Sequence, residues 1–254
     1  MKVLLRLKTS VAVILSAALL FMFAIPDVSQ AQTLTKETIN YVALGDSLAA
    51  GVTPYKAINK GYPVFLYERL QQSSQRTVTY QNFGVPGYAT SDVLLDFKQN
   101  RNNIKQAIKK ANIITIDIGA NDLLPVVLSG SGDVKNTLSQ TFLNTLLIIA
   151  KIKSWNPKAQ IYIMEYYNPF PYLPAAQQAP LLGVLAQLNN SILLISKMNP
   201  STYYVPTAAI VAQNYLTYLP NPADIHLSLT GYEAVSNQFF EKISSVNNLQ
   251  AVIQ

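Results

Sequence analysis

The sequence predicts an α/β protein, a three-layer α/β/α sandwich around a mostly parallel five-stranded sheet. Two observations lead there. Short, continuous apolar runs such as "IITIDI" (Ile113–Ile118) have the composition of strands buried on both faces. They alternate with longer segments whose apolar residues recur at helical spacing. Alternation of this kind builds parallel βαβ units joined by right-handed crossovers.

In chain order, Ile39–Leu44 reads as a strand and Tyr62–Gln72 as a helix. Val78–Phe83 is a strand, and Ser91–Lys110 is helical with a break near Asn100. Ile113–Ile118 is a strand; Asp133–Trp155 is a long helix with Leu138, Phe142, Leu146 and Ile149 on one face. Ile161–Tyr166 is a strand, Leu181–Met198 a helix and Thr202–Val205 a short strand. Gly231–Ser245 closes the chain as a helix, with Thr230 as its N-cap. The intervening "NPFPYLPAAQQAP", Asn168–Pro180, holds four prolines. It reads as a stiff aromatic loop beside a site, because the α/β alternation resumes after it.

The first 31 residues stand apart. Lys2, Arg6 and Lys8 precede an apolar run over Val11–Ile25, and Ser29-Gln30-Ala31 supplies small residues. This is the pattern of a secretory signal peptide cleaved after Ala31, leaving 32–254 as a single domain. The apolar run is short for a membrane span. The chain has no Cys, so neither a lipidated N-terminal cysteine nor a disulfide framework is available.

Removing that leader leaves sixteen basic and twelve acidic residues, near +4. The basic residues are scattered, apart from Lys105, Lys109 and Lys110, which read as a solvated helix face. Mild attraction to an anionic envelope or lipid surface fits this charge. No basic cluster interleaved with aromatics points to nucleic acid. One His and no Cys speak against a zinc site, and no P-loop sequence occurs. The sequence leaves the oligomeric state open.

In open parallel sheets the functional edge lies at the carboxyl ends of the strands. Four polar clusters follow strands or precede the last helix: Gly45-Asp46-Ser47, "NFGVPG" (Asn82–Gly87), "GANDLL" (Gly119–Leu124) and "PADIHLS" (Pro222–Ser228). A serine hydroxyl needs a neighbour to take its proton. His226, the chain's one histidine, is the side chain whose ordinary pKa suits that task near neutrality. Acyl transfer also needs donors aimed at the developing oxyanion. The Ser47 N–H at a strand-to-helix turn, a backbone N–H at Gly87 and the Asn121 amide are candidates.

Together these blocks resemble the SGNH hydrolases, also called GDSL lipases and esterases. "GDSL", Gly45–Leu48, is similar to the first block and implies Ser47 as nucleophile. "NFGVPG" and "GAND" imply Gly87 and Asn121 as oxyanion donors. "DIH" implies His226 as base. All four occur in order, which is far more specific than any one tetrapeptide. The resemblance implies a flavodoxin-like sheet and a hydrolase of carboxylic esters or thioesters, acting on small-molecule or lipid esters without metal or cofactor, and the leader implies that it is secreted. Contact with the envelope or a membrane surface stays peripheral in this reading.

One position departs from the pattern. The family usually places its acid three residues before the histidine, and that residue here is Ala223. Either Asp224 orients His226 by a different loop path, or the Ala223 carbonyl does. Asp224 is the preferred candidate, because a carboxylate better stabilises the imidazolium. Asp46 and Asp122 read as turn-bonding residues, and Asp117 as a buried or paired strand residue. Tyr166, Tyr167, Phe170 and Tyr172 are candidates to line an acyl pocket, against ordinary packing. Alternatives to a simple esterase or lipase are an O-acetyl esterase or acyltransferase on envelope polysaccharide, or a non-catalytic lipid- or wall-binding module.

Overall fold

The most continuous apolar runs become the central strands of one sheet, where both faces are covered. The computed structural model describes residues 38–74 and 76–247, so the leader expected over 1–31 lies outside the described residues. The strands are β1 Ile39–Gly45, β2 Val78–Gly84, β3 Ile113–Asp117, β4 Gln160–Met164 and β5 Thr202–Val205. They lie in the order β2-β1-β3-β4-β5, and every pairing is parallel. Leu44 of β1 stands opposite Phe83 of β2 and Ile116 of β3, so the three strand ends meet at one edge.

The helices, in chain order, are α1 Ser47–Ala50, α2 Tyr62–Ser73, α3 Thr90–Gln99, α4 Ile104–Lys110 and α5 Ala120–Ser129. They continue with α6 Val134–Trp155, α7 Ala175–Met198, α8 Ala208–Gln213, α9 Tyr215–Tyr218 and α10 Leu229–Asn247. The strand order reverses between β1 and β3, so right-handed crossovers divide the helices between the two faces. On one face α6 packs against α3, α4 and α7; on the other α10 packs against α2 and α8. Between them lies a core that includes Leu44, Ile114, Ile116, Ile161 and Ile163, all essentially fully buried.

The break expected near Asn100 is present: Asn100 adopts a left-handed conformation (φ 51°) that stops α3, and a 3₁₀ turn, Arg101–Asn103, leads into α4. Several other boundaries differ from the sequence reading, each for a local reason. The helix α7 begins at Ala175 despite Pro180 inside it, so the aromatic loop ends at Pro174. Its Pro174 carbonyl already accepts the Gln178 N–H at 3.1 Å. "GANDLL" opens α5, a helix the sequence reading did not include, which carries Pro125 in its interior. The last helix starts at Leu229, and its cap is Ser228, whose hydroxyl accepts the Gly231 N–H at 3.2 Å, rather than Thr230. On α6 the fully buried face is Thr141, Thr145, Ile148, Ile149 and Ile152. Leu138, Phe142 and Leu146 only flank the core.

Candidate active site

Strand β1 ends at Gly45 because the Asp117 carboxyl occupies the space a side chain would need; a Cβ there would sit 2.4 Å from Asp117 Oδ1. Asp117, fully buried at the end of β3, then organises the turn that follows. Its Oδ2 accepts the Asp46 N–H at 3.2 Å and the Ala49 N–H at 3.1 Å, and its Oδ1 accepts the Tyr62 hydroxyl at 2.6 Å. Asp46 caps α1 through Leu48 N–H to Oδ1, 2.9 Å, and takes the Tyr166 hydroxyl on Oδ2 at 2.8 Å. Ser47, the first residue of α1, is thereby fixed at the strand edge.

Two buried carboxyls back to back carry an electrostatic cost. Burial, and then repulsion from Asp46, push the Asp117 carboxyl well above the usual carboxylate range. Burial also raises Asp46, opposed by the Leu48 N–H and the Tyr166 hydroxyl. Burial holds the Tyr62 and Tyr166 phenols well above the ordinary tyrosine value, so both remain hydrogen-bond donors.

The loop before α10 brings His226 over this turn. His226 Nε2 lies 2.9 Å from Ser47 Oγ. The competing contact, Ser47 Oγ to Asp46 Oδ1, is 3.5 Å, so geometry favours the imidazole as the hydroxyl's partner. On the other side of the ring, Nδ1 lies 2.7 Å from Asp224 Oδ1. That same carboxylate oxygen accepts the His226 backbone N–H at 2.8 Å, which closes a tight turn and makes a two-residue spacing sufficient. Tyr167 steadies the loop by donating to the Ile225 carbonyl at 2.7 Å.

Asn121, near the start of α5, donates one amide hydrogen to the Tyr88 carbonyl at 3.0 Å. Its neighbour Asp122 accepts the Thr90 N–H at 2.9 Å and the Thr90 hydroxyl at 2.5 Å. The "GAND" turn and the loop holding Gly87 are thus tied together. Gly87 has φ +83° and an open flank, with nothing within 4 Å of the point where a Cβ would stand.

Ser47 and Asn121 open onto a groove of about 760 Å³, mouth included, between α5 and the first half of α7. Its walls are apolar: Leu123, Leu124 and Val127 from α5, and Leu181, Leu185 and Leu188 from α7. Tyr166, Tyr167 and Phe170 also line it. Tyr172 does not; its hydroxyl donates to the Leu219 carbonyl at 2.8 Å and its ring meets Tyr215 edge-on. Glu165 is spent on α8, accepting the Thr207 and Ala208 N–H groups at 3.0 Å each. Sequence reasoning missed the helical groove wall and the Asp117–Tyr62 brace. The one signal for the wall was the unbroken apolar "LLGVL" of Leu181–Leu185, too broad for a single core-facing stripe.

Comparison with known proteins bears on this arrangement. Residues 43–234 match the model of the GDSL-like Lipase/Acylhydrolase family. The chain is 27% identical over 216 residues to the spore germination lipase LipC of Bacillus licheniformis, covering 79% of this chain and 94% of that protein. It is 25% identical over 230 residues to the uncharacterized protein YpmR of Bacillus subtilis, covering 84% of each. Its fold is similar to the lipase Lip_vut3 from a goat rumen metagenome (TM-score 0.65, 24% identity, 80% of this chain and 96% of that one). It is also similar to Axe2, an acetylxylan esterase from Geobacillus stearothermophilus (TM-score 0.62, 18% identity, 82% and 94%).

Proposed function

The chain belongs to the GDSL-like lipase/acylhydrolase family, whose members are carboxylic ester hydrolases, and from that premise we propose that it cleaves esters of medium to long acyl chains through Ser47, His226 and Asp224. His226 Nε2 takes the Ser47 proton as Oγ attacks the ester carbonyl. Asp224 holds the Nδ1 proton and stabilises the imidazolium. The Ser47 N–H, the Gly87 N–H and the free amide hydrogen of Asn121 receive the oxyanion. The tetrahedral adduct collapses, the leaving alkoxide takes the proton from His226, and the alcohol departs. Water, deprotonated by the same imidazole, then attacks the acyl-enzyme and releases the carboxylic acid.

The observation that carries this reading is the Asp224–His226–Ser47 relay, at 2.7 and 2.9 Å, whose Ser47 lines an apolar groove. The groove also supports a choice of substrate. Its leucine and valine walls favour an alkyl chain and offer a sugar few hydrogen-bonding partners, which weighs against a polysaccharide O-acetyl esterase. The basic-apolar pattern of residues 1–31 supports export.

The test is hydrolysis of p-nitrophenyl esters from acetate to dodecanoate by the wild type and by Ser47→Ala. The expected result is activity that rises with chain length and falls by roughly 10⁴ or more in the variant. An active Ser47→Ala enzyme would refute the assignment. An inert wild type whose Ser47 also fails to react with an alkyl phosphonate would instead leave a non-catalytic lipid-binding module.

A further inference from the structure

The two helix layers differ sharply in charge. Residues 90–110, 133–155 and 175–198, the layer of α3, α4, α6 and α7, hold nine basic and three acidic side chains. Residues 62–73 and 229–247, from the opposite layer, hold two basic and three acidic ones. The three acids of the basic layer are already engaged. Asp96 is buried and pairs with Arg101 at 3.3 Å. Asp92 and Asp133 accept backbone N–H groups at helix starts. Lys98, Lys109, Lys110, Lys135 and Lys197 are exposed, and no ion pair engages them among the described residues.

The same layer exposes large apolar side chains. Leu95 on α3, Leu143 and Leu147 on α6, and Leu194 and Met198 on α7 are each 48–57% exposed. Single exposed leucines are ordinary, but these share one layer with unpaired lysines. On α6 the outward row at four-residue spacing reads Lys135, Ser139, Leu143, Leu147, Lys151, with leucines in the middle and a cation at each end. Helix α7 is long and apolar enough by composition to cross a membrane, yet it fully buries only Leu188, Ile192 and Ile195. One wall of the groove is this same helix, and Leu128 and Leu182, on the two helices that form it, are themselves exposed.

We infer that this layer docks on an anionic lipid surface, its leucines entering the headgroup region and its lysines meeting lipid phosphates. A face that was merely apolar would suit a second copy of the chain equally well. The excess of unpaired cations opposes self-association and selects a negatively charged bilayer.

Trp155, the chain's one tryptophan, ends α6 with Lys151 and Lys105 over its ring at 5.3 and 5.8 Å, and so reports from this face. The mature chain, residues 32–254, is mixed with vesicles of phosphatidylcholine, with or without phosphatidylglycerol, carrying brominated acyl chains that quench tryptophan on contact. Quenching is expected with phosphatidylglycerol present, far less without it, and decreasing as salt rises. Leu143→Ser/Leu147→Ser and Lys98→Glu/Lys135→Glu should each weaken it at least roughly fivefold, with circular dichroism unchanged. Ser47→Ala should quench like the parent, so this result is separable from the fate of the esterase reading. Equal quenching on both vesicles, or quenching that survives both double variants, overturns the proposal. So does a parent dimer that the leucine variant splits, without lipid-dependent quenching.

Discussion

The Asp117 carboxyl rests against the Cα of Gly45, and a methyl group at that position would come within 2.4 Å of Asp117 Oδ1. This contact joins the end of β3 to the end of β1 and leaves room for the carboxyl to hold the Asp46 and Ala49 N–H groups. The "GDSL" glycine is therefore set by a buried neighbour.

Gly45→Ala is expected to displace Asp117 or the Ser47 turn. Overpacking of this kind costs about 1–3 kcal/mol. Urea unfolding should register that loss. Ester hydrolysis should fall further than the stability change explains, because Ser47 Oγ leaves its 2.9 Å contact with His226. An alanine variant with parental activity would show that the turn does not depend on this contact.

Asp117 also makes stability depend on pH. Burial and the Asp46 carboxylate raise its folded pKa above the unfolded value of about 3.9. Between those two values the folded state binds more protons than the unfolded state, so stability falls as pH rises through the window. Asp117→Asn removes that titration. The melting temperature of the parent minus that of the variant should therefore shrink, or turn negative, from about pH 4 towards neutrality. A difference that grows with pH would contradict a raised Asp117.

The central strands were legible because a strand covered on both faces is predominantly apolar, as in Ile161–Met164. The blocks around Ser47, Asn121 and His226 were legible because they follow strands or precede a helix. Pro180 misled: it was read as the end of a loop but lies inside α7, where tertiary packing overrides its cost. The groove was hidden for a different reason. Leu124, Val127 and Leu185 are indistinguishable in sequence from core leucines and valines, and only the placement of α5 beside α7 makes them a wall. Tyr172 was misjudged because an aromatic loop residue beside a site serves equally well as packing, here against Tyr215.

The spacing of Asp224 from His226 admits a direct test. Asp224→Ala should lower kcat/KM by roughly 10²–10⁴, with Asp224→Asn similarly impaired, since an amide neither carries charge nor fixes the tautomer. Because Asp224 Oδ1 also accepts the His226 N–H, thermal unfolding should be measured alongside. Activity within about tenfold of the parent would transfer the orienting role to a backbone carbonyl such as that of Ala223.

The groove sets the last expectation. Each methylene taken out of water contributes about 0.8 kcal/mol, roughly fourfold in kcat/KM where the binding is retained in the transition state. Lengthening the acyl chain should therefore raise kcat/KM until the space between α5 and α7 is filled. Leu185→Trp places a larger ring in that space without touching the relay at Ser47 and His226. It should cut the rate on octanoate at least roughly tenfold while leaving acetate within about threefold. Equal losses on both esters, with a lowered melting temperature, would mean damage to the helix layer. Equal rates with both at parental level would mean that the acyl chain lies elsewhere.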